Sequence, residues 1–107
     1  MSITQARIKA QLELVGDIMR TDSNAKLYTI VQGVQKLASI AKALHKRYEN
    51  SCSYQWACTD KYEKRTDTLE GQAVQVGQEM GITIGLQRDP RGWPLIARIG
   101  MIEHRLG

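Results

Sequence analysis

The feature that most constrains this chain is one long apolar stripe. Leu27, Val31, Val34, Ala38 and Ala41 recur at alternating steps of four and three, with Ile30, Leu37 and Leu44 beside them. That is the period of one face of an α-helix, sustained over several turns. It predicts a helix over about 22–49, entered through Thr21-Asp22-Ser23-Asn24, each of which suits an N-cap. Ala38, Ala41 and Ala43 keep the helix surface low, so another helix can come close. A stripe of this kind is core rather than a cofactor site, and the rest of the chain has to cover it.

Two further helices can be drawn for that purpose. Ser2-Ile3-Thr4-Gln5 has the form of a capping box, in which the serine hydroxyl and the glutamine side chain satisfy free N–H groups at a helix start. It opens a helix over about 3–20. The apolar face of that helix is Ile8, Leu12, Val15 and Met19, widened by Leu14 and Ile18, so more than one neighbour is expected to cover it. Asn50 to Cys58, NSCSYQWAC, interrupts the pattern, and Asp60-x-x-Glu63 opens a third helix over about 59–80. Its face is Tyr62, Thr66, Leu69, Ala73, Val76 and Met80. Gly71 and Gly77 weaken it by roughly 1 kcal/mol each relative to alanine, and in return offer places where another backbone can approach. Gly81 is placed to end it in the left-handed conformation.

Beyond Gly81 the period changes to two. Ile82, Ile84 and Leu86 alternate with Thr83, Gly85 and Gln87, and Trp93, Leu95, Ala97 and Ile99 alternate likewise. Between them stands Asp89-Pro90-Arg91-Gly92, with the turn chemistry of a hairpin. Proline pre-sets φ, aspartate accepts backbone N–H groups and glycine tolerates positive φ. Asp89, Pro90 and Gly92 are therefore structural, whereas Arg91 is either incidental or a contact group held on a rigid tip. A common apolar face requires Leu86 opposite Leu95, Ile84 opposite Ala97 and Ile82 opposite Ile99, although a glycine bulge at 92 would slip this by one residue. Pro94 lacks a donor, which argues for an open edge on the second strand. The fold class is thus α+β: a single domain over residues 1–107, with an antiparallel bundle of about three helices and a C-terminal two-stranded hairpin over about 82–99.

The order of a polar loop, the charged helix DKYEKRTDTLEGQAVQVGQEMG, the strand ITIGLQ and then DPRGWPL resembles a group of small proteins encoded by tailed bacteriophages and prophages. Those commonly end in a hairpin with Gly-Asp-Pro-Arg-Gly, an aromatic residue and an apolar strand. The likeness covers roughly residues 45–100; Arg88 stands where the group often has glycine, and NSCSYQWAC where it often has a Cys-Asn pair. The resemblance implies a phage or prophage origin and a bacterial cytoplasm, and no particular reaction.

Composition narrows the function classes. With no run of eighteen apolar residues and charges throughout its first fourteen, the chain is expected to be soluble and unexported. Cys52 and Cys58 are expected as reduced thiols. With His45 and His104 they are the only soft metal ligands, and C-x5-C is not a zinc spacing, so neither a metal nor a cofactor is expected. No Gly-rich phosphate loop or nucleophile motif is present, and the chain is read as a binding protein rather than an enzyme.

Fifteen Lys and Arg against eleven Asp and Glu give a net charge of +4. Six of the cations, against three acids, lie in residues 42–65. Lys42, His45, Lys46 and Arg47 crowd the expected end of the second helix, where cations complement its dipole. Lys61, Lys64 and Arg65 begin the third, across a loop carrying Tyr54 and Trp56. Cations beside aromatics suit phosphate contact and base stacking; the same residues also suit a solvated face over two core aromatics. The expected nucleic-acid contacts are Lys46, Arg47, Lys61, Lys64, Arg65, Arg91, Tyr54 and Trp56. The alternative is a module that binds a host or phage protein. A homodimer is expected in either case, because a two-stranded sheet needs cover and one repeated patch would join its open edge to the apolar stripe of 22–49.

Overall fold

The computed structural model describes residues 3–22, 24–53, 60–87 and 93–107, and the side chains among them except at 3, 49–53 and 60–63. The elements run α1 (Ile3–Thr21), α2 (Leu27–Ser53), α3 (Asp60–Glu79), β1 (Thr83–Leu86), β2 (Leu95–Ile99) and β3 (Ile102–Leu106). The fold is α+β with its strands at the C-terminal end of the chain. The sheet, however, has three antiparallel strands in the order β1-β2-β3, not two.

The helical period of α2 holds, but its buried face is centred on the residues beside the expected stripe: Leu27 is 57% exposed, and Val31 and Ala38 are only half-buried. Ile30, Val34, Leu37, Ala41, Leu44 and Tyr48 are all buried, at steps of four and three, and form the spine of the core. Burying one such leucine or isoleucine contributes about 1.5–3 kcal/mol, and α2 supplies more core residues than any other element. It lies between α1 and α3 in one helical layer, while α3 packs on β1 and α1 on β3. The helix begins later than expected because the tract before it forms a turn of its own. Asp22 Oδ1 accepts the Asn24 N–H at 3.0 Å. The Ala25 N–H bonds to the Asp22 carbonyl, and the first helical bond runs from the Ile30 N–H to the Lys26 carbonyl. It also continues to Ser53 rather than ending near 49, since Glu49 to Ser53 contain neither glycine nor proline to stop it.

α1 buries a different face from the one its strongest stripe suggested. Leu14 and Ile18 are core and Asp17 is buried with them, whereas Ile8 and Leu12 are 51% and 67% exposed. The reason is the third strand: α1 sits in the corner between α2 and β3, and that corner selects the 14/17/18 side.

α3 ends as its sequence requires. The Gly81 N–H bonds to the Gln78 carbonyl and the Ile82 N–H to the Gly77 carbonyl, with Gly81 at φ +75°. This is a Schellman motif closed by a left-handed glycine. Of the two glycines within α3, only Gly77 serves a close approach. A Cβ there would lie 2.4 Å from Ile84 Cγ1 of β1, while one at Gly71 would meet nothing within 4 Å.

The β1–β2 register is the one a common apolar face demands, with Leu86 opposite Leu95 and Ile84 opposite Ala97. β2 and β3 are joined by a two-residue turn, Gly100-Met101, closing at Ile99 and Ile102. Gly100 takes φ +58°, which is the first central position of a type II′ turn. β2 is consequently the middle strand, and the open edge expected on it is not there. Pro94 stands one residue before the ladder, fully buried, and its carbonyl accepts the Gln87 N–H at 2.9 Å. The inner face of the sheet carries Ile84, Leu95, Ala97, His104 and Leu106; the outer face exposes Thr83, Arg98, Glu103 and Arg105. Within the chain the apolar stripe of α2 is covered from Ile30 to Tyr48, while Leu27 and Tyr28 at its start stay exposed.

Candidate nucleic-acid interface

The basic runs of α2 and α3 lie at one end of an antiparallel helical pair. Their neighbourhood is fixed by a hydrogen bond across nineteen positions of sequence, from Arg47 Nε to Thr66 Oγ1 at 3.1 Å. Thr66 is buried, so this bond satisfies a hydroxyl that would otherwise be costly inside. Arg47 is half-buried and serves as a clamp between the helices rather than as an outward cation. Lys46, Lys64 and Arg65 on the neighbouring turns are exposed, and Lys42 is exposed on the side of α2 toward α1.

Lys46 lies outside the last turn of α2, whose extension to Ser53 carries the C-terminal dipole away from this cluster; that last turn has no basic residue. The cluster therefore acts through side-chain charge alone. Asp67 is exposed one turn from Lys64, and Glu70 is buried on the same helix. The surface is thus mixed, with cations in excess. Of the other expected contacts, Lys61 lies on α3 with its side chain outside the described part of the structure. Tyr54, Trp56, Asp89, Pro90, Arg91 and Gly92 lie outside the described residues, as do Ser2 and Cys58.

Two arginines that periodicity did not single out stand on the outer face of the sheet. Arg98 Nε pairs with Glu103 Oε1 at 3.2 Å across β2 and β3, and Arg105 is exposed beside them. The outward place of Arg98 follows from the alternation of β2, between Ala97 and Ile99, whereas that of Arg105 depends on β3.

A second constellation is buried. His104 Nε2 lies 2.6 Å from Asp17 Oδ2, joining β3 to α1 across 87 positions. The other carboxylate oxygen of Asp17 pairs with Arg20, and the Asp17 carbonyl accepts the Thr21 hydroxyl at 2.8 Å. A groove of about 580 Å³ opens beside the pair, lined by Leu12, Glu13, Gly16 and Arg20 of α1 and by Ile102 and Glu103 of β3. That lining holds no hydroxyl, thiol or amine to act as a nucleophile. His45 is on α2, remote in sequence from His104, and among the described residues no group of three or more His, Cys, Asp or Glu could hold a metal ion. No helix among the described residues is long and apolar enough to cross a membrane.

No protein-family model, no curated protein and no solved structure matches this chain.

Proposed function

We propose that this chain is a small non-enzymatic binding protein that contacts nucleic acid through the basic end of its α2–α3 pair. The observation that carries the reading is the Arg47–Thr66 hydrogen bond, which sets the stretch of α2 containing Lys46 beside the stretch of α3 containing Lys64 and Arg65, three side chains that are exposed. Cations spaced over two helices are suited to a phosphate backbone, which demands charge at intervals and no particular base. The likeness of residues 45–100 to small phage and prophage proteins supports a phage origin and a bacterial cytoplasm as the setting. The Asp17–His104 pair is read as a structural tie, since its two side chains satisfy each other.

Fluorescence anisotropy with labelled single- and double-stranded DNA and RNA tests this. Three phosphate contacts lower affinity by roughly forty-fold between 50 and 200 mM salt, from a slope of about −0.9 per contact on a duplex. Substituting Lys46, Lys64 and Arg65 by glutamate should abolish that dependence with no loss of folding. Arg47 is left intact in this variant because its hydrogen bond holds the helices together. Absence of binding to every probe at about 100 µM, the weak end of non-specific affinity, would overturn the reading.

A further inference from the structure

β3 is an edge strand, and its sequence, Ile102-Glu103-His104-Arg105-Leu106, is complementary to itself in the antiparallel sense. We propose that the edge of β3 pairs with β3 of a second copy about a two-fold axis through His104, fusing two sheets into one. This goes beyond the nucleic-acid reading and does not depend on it.

Hydrogen-bond phase comes first. The β2–β3 hairpin closes over two residues at Ile99 and Ile102. In such a hairpin the closing pair is hydrogen-bonded, so residues 102, 104 and 106 direct their N–H and C=O groups at β2. Residues 103 and 105 direct theirs outward, to the open edge. An added strand can complete the ladder only by setting its own outward residues against these. For a second copy of β3, two-fold axes at 103, 104 or 105 keep that phase, whereas an axis between residues does not.

Charge then selects among the three. An axis at 103 sets Glu103 against the same residue of the partner copy, and an axis at 105 does so for Arg105. Like charges directly opposite are destabilising. The axis at His104 sets Glu103 opposite Arg105, twice over by symmetry. Both are exposed in the single chain, and Glu103 already holds Arg98 at 3.2 Å on its other side. The outer face of the joined sheet would read arginine, glutamate, arginine across the junction. On the inner face Ile102, which is 49% exposed, is set opposite Leu106 of the second copy. The groove beside the edge, with Leu12 67% exposed on its rim, gains apolar cover in the same step. β3 carries no proline, lysine or bulge, and its two exposed charges, Glu103 and Arg105, are of opposite sign, so the charge that would protect an edge from other strands favours this one pairing.

Sedimentation equilibrium of the full chain tests the proposal by charge exchange. The wild type should sediment at twice its 12.1 kDa mass. Glu103→Arg alone and Arg105→Glu alone each set like charges face to face and should weaken the dimer by roughly tenfold or more. An equimolar mixture of the two variants restores opposite charges at both contacts and should recover a heterodimer. In the wild type itself, the amide protons of Glu103 and Arg105 should exchange more slowly as concentration rises, a measurement that does not rely on either variant folding. A 12.1 kDa species alone at about 100 µM, a dimer indifferent to both substitutions, or fast exchange of those two amides in a dimeric sample would each overturn it.

Discussion

The two flanks of the sheet are closed by opposite chemistry. On one side α3 meets β1 through a glycine: Gly77 is buried, and Ile84 presses onto the backbone where a side chain would otherwise stand. On the other side α1 meets β3 through a carboxylate and an imidazole, Asp17 and His104, 2.6 Å apart. The glycine contact leaves no room for a side chain at that point, so strand and helix backbone meet closely there. The polar contact holds its helix at a distance set by a hydrogen bond, and a groove of about 580 Å³ opens next to it. A buried polar pair must be satisfied at one fixed geometry, whereas an apolar contact asks only for close packing. It is the second flank that also carries the self-complementary edge.

The largest expected effect comes from removing the polar tie. Asp17→Ala leaves His104 buried without its partner and frees Arg20, which should cost about 3 kcal/mol. In a chain of this size that lowers the melting temperature by more than about 10 °C. Replacing both Asp17 and His104 by leucine should recover part of the loss, since no unsatisfied polar group then remains inside. If thermal unfolding of Asp17→Ala matches the wild type, the flank is held by Leu14 and Ile18 alone and the comparison above is mistaken.

The same pair explains why one strand was hidden in the sequence. β1 and β2 were legible because Ile82, Ile84, Leu86, Leu95, Ala97 and Ile99 alternate without interruption. In β3 the inner slot between Ile102 and Leu106 is filled by His104, and local reading has no means of knowing that Asp17 waits opposite it. In α2 the helical period was legible, while the choice of Ile30, Leu37 and Leu44 over Leu27, Val31 and Ala38 was made by the sheet and the neighbouring helices. The basic end divides in the same way. That Lys46, Lys64 and Arg65 would be exposed could be read from the helical pattern, but the inward role of Arg47 depends on where Thr66 lies, and that is tertiary. Missing β3 also shifted the buried face of α1 from Ile8 and Leu12 to Leu14 and Ile18, because a helix faces whatever it has to cover.

A smaller loss should come from closing the glycine flank too tightly. The Cβ of Gly77→Ala would lie 2.4 Å from Ile84 Cγ1 and 3.3 Å from the Ile82 carbonyl oxygen. One of these is main chain and the other sits near the branch of a buried side chain, so neither can yield cheaply. Overpacking of this kind costs about 1–3 kcal/mol, more than the gain in helix propensity that alanine brings. Urea unfolding should show a lower midpoint with an unchanged slope, because the surface exposed on unfolding is the same. A raised midpoint would mean that β1 is free to move away from α3.

The smallest effect should have the opposite sign, and it isolates the contact from the residue type. Gly71 lies on the same helix as Gly77 but is exposed, and an added Cβ there meets nothing within 4 Å. Gly71→Ala changes only the backbone's conformational freedom in the unfolded chain and the local helix propensity. It should stabilise by about 0.5–1 kcal/mol, raising the melting temperature by a few degrees. Measured side by side, the two substitutions share chemistry, helix and direction of propensity, so their difference reports the Ile84 contact. Destabilisation by both would assign the cost to α3 as a whole rather than to its seam with β1. Stabilisation at 71 together with loss at 77 would place the close contact of that flank at the one residue where the strand leans on the helix backbone.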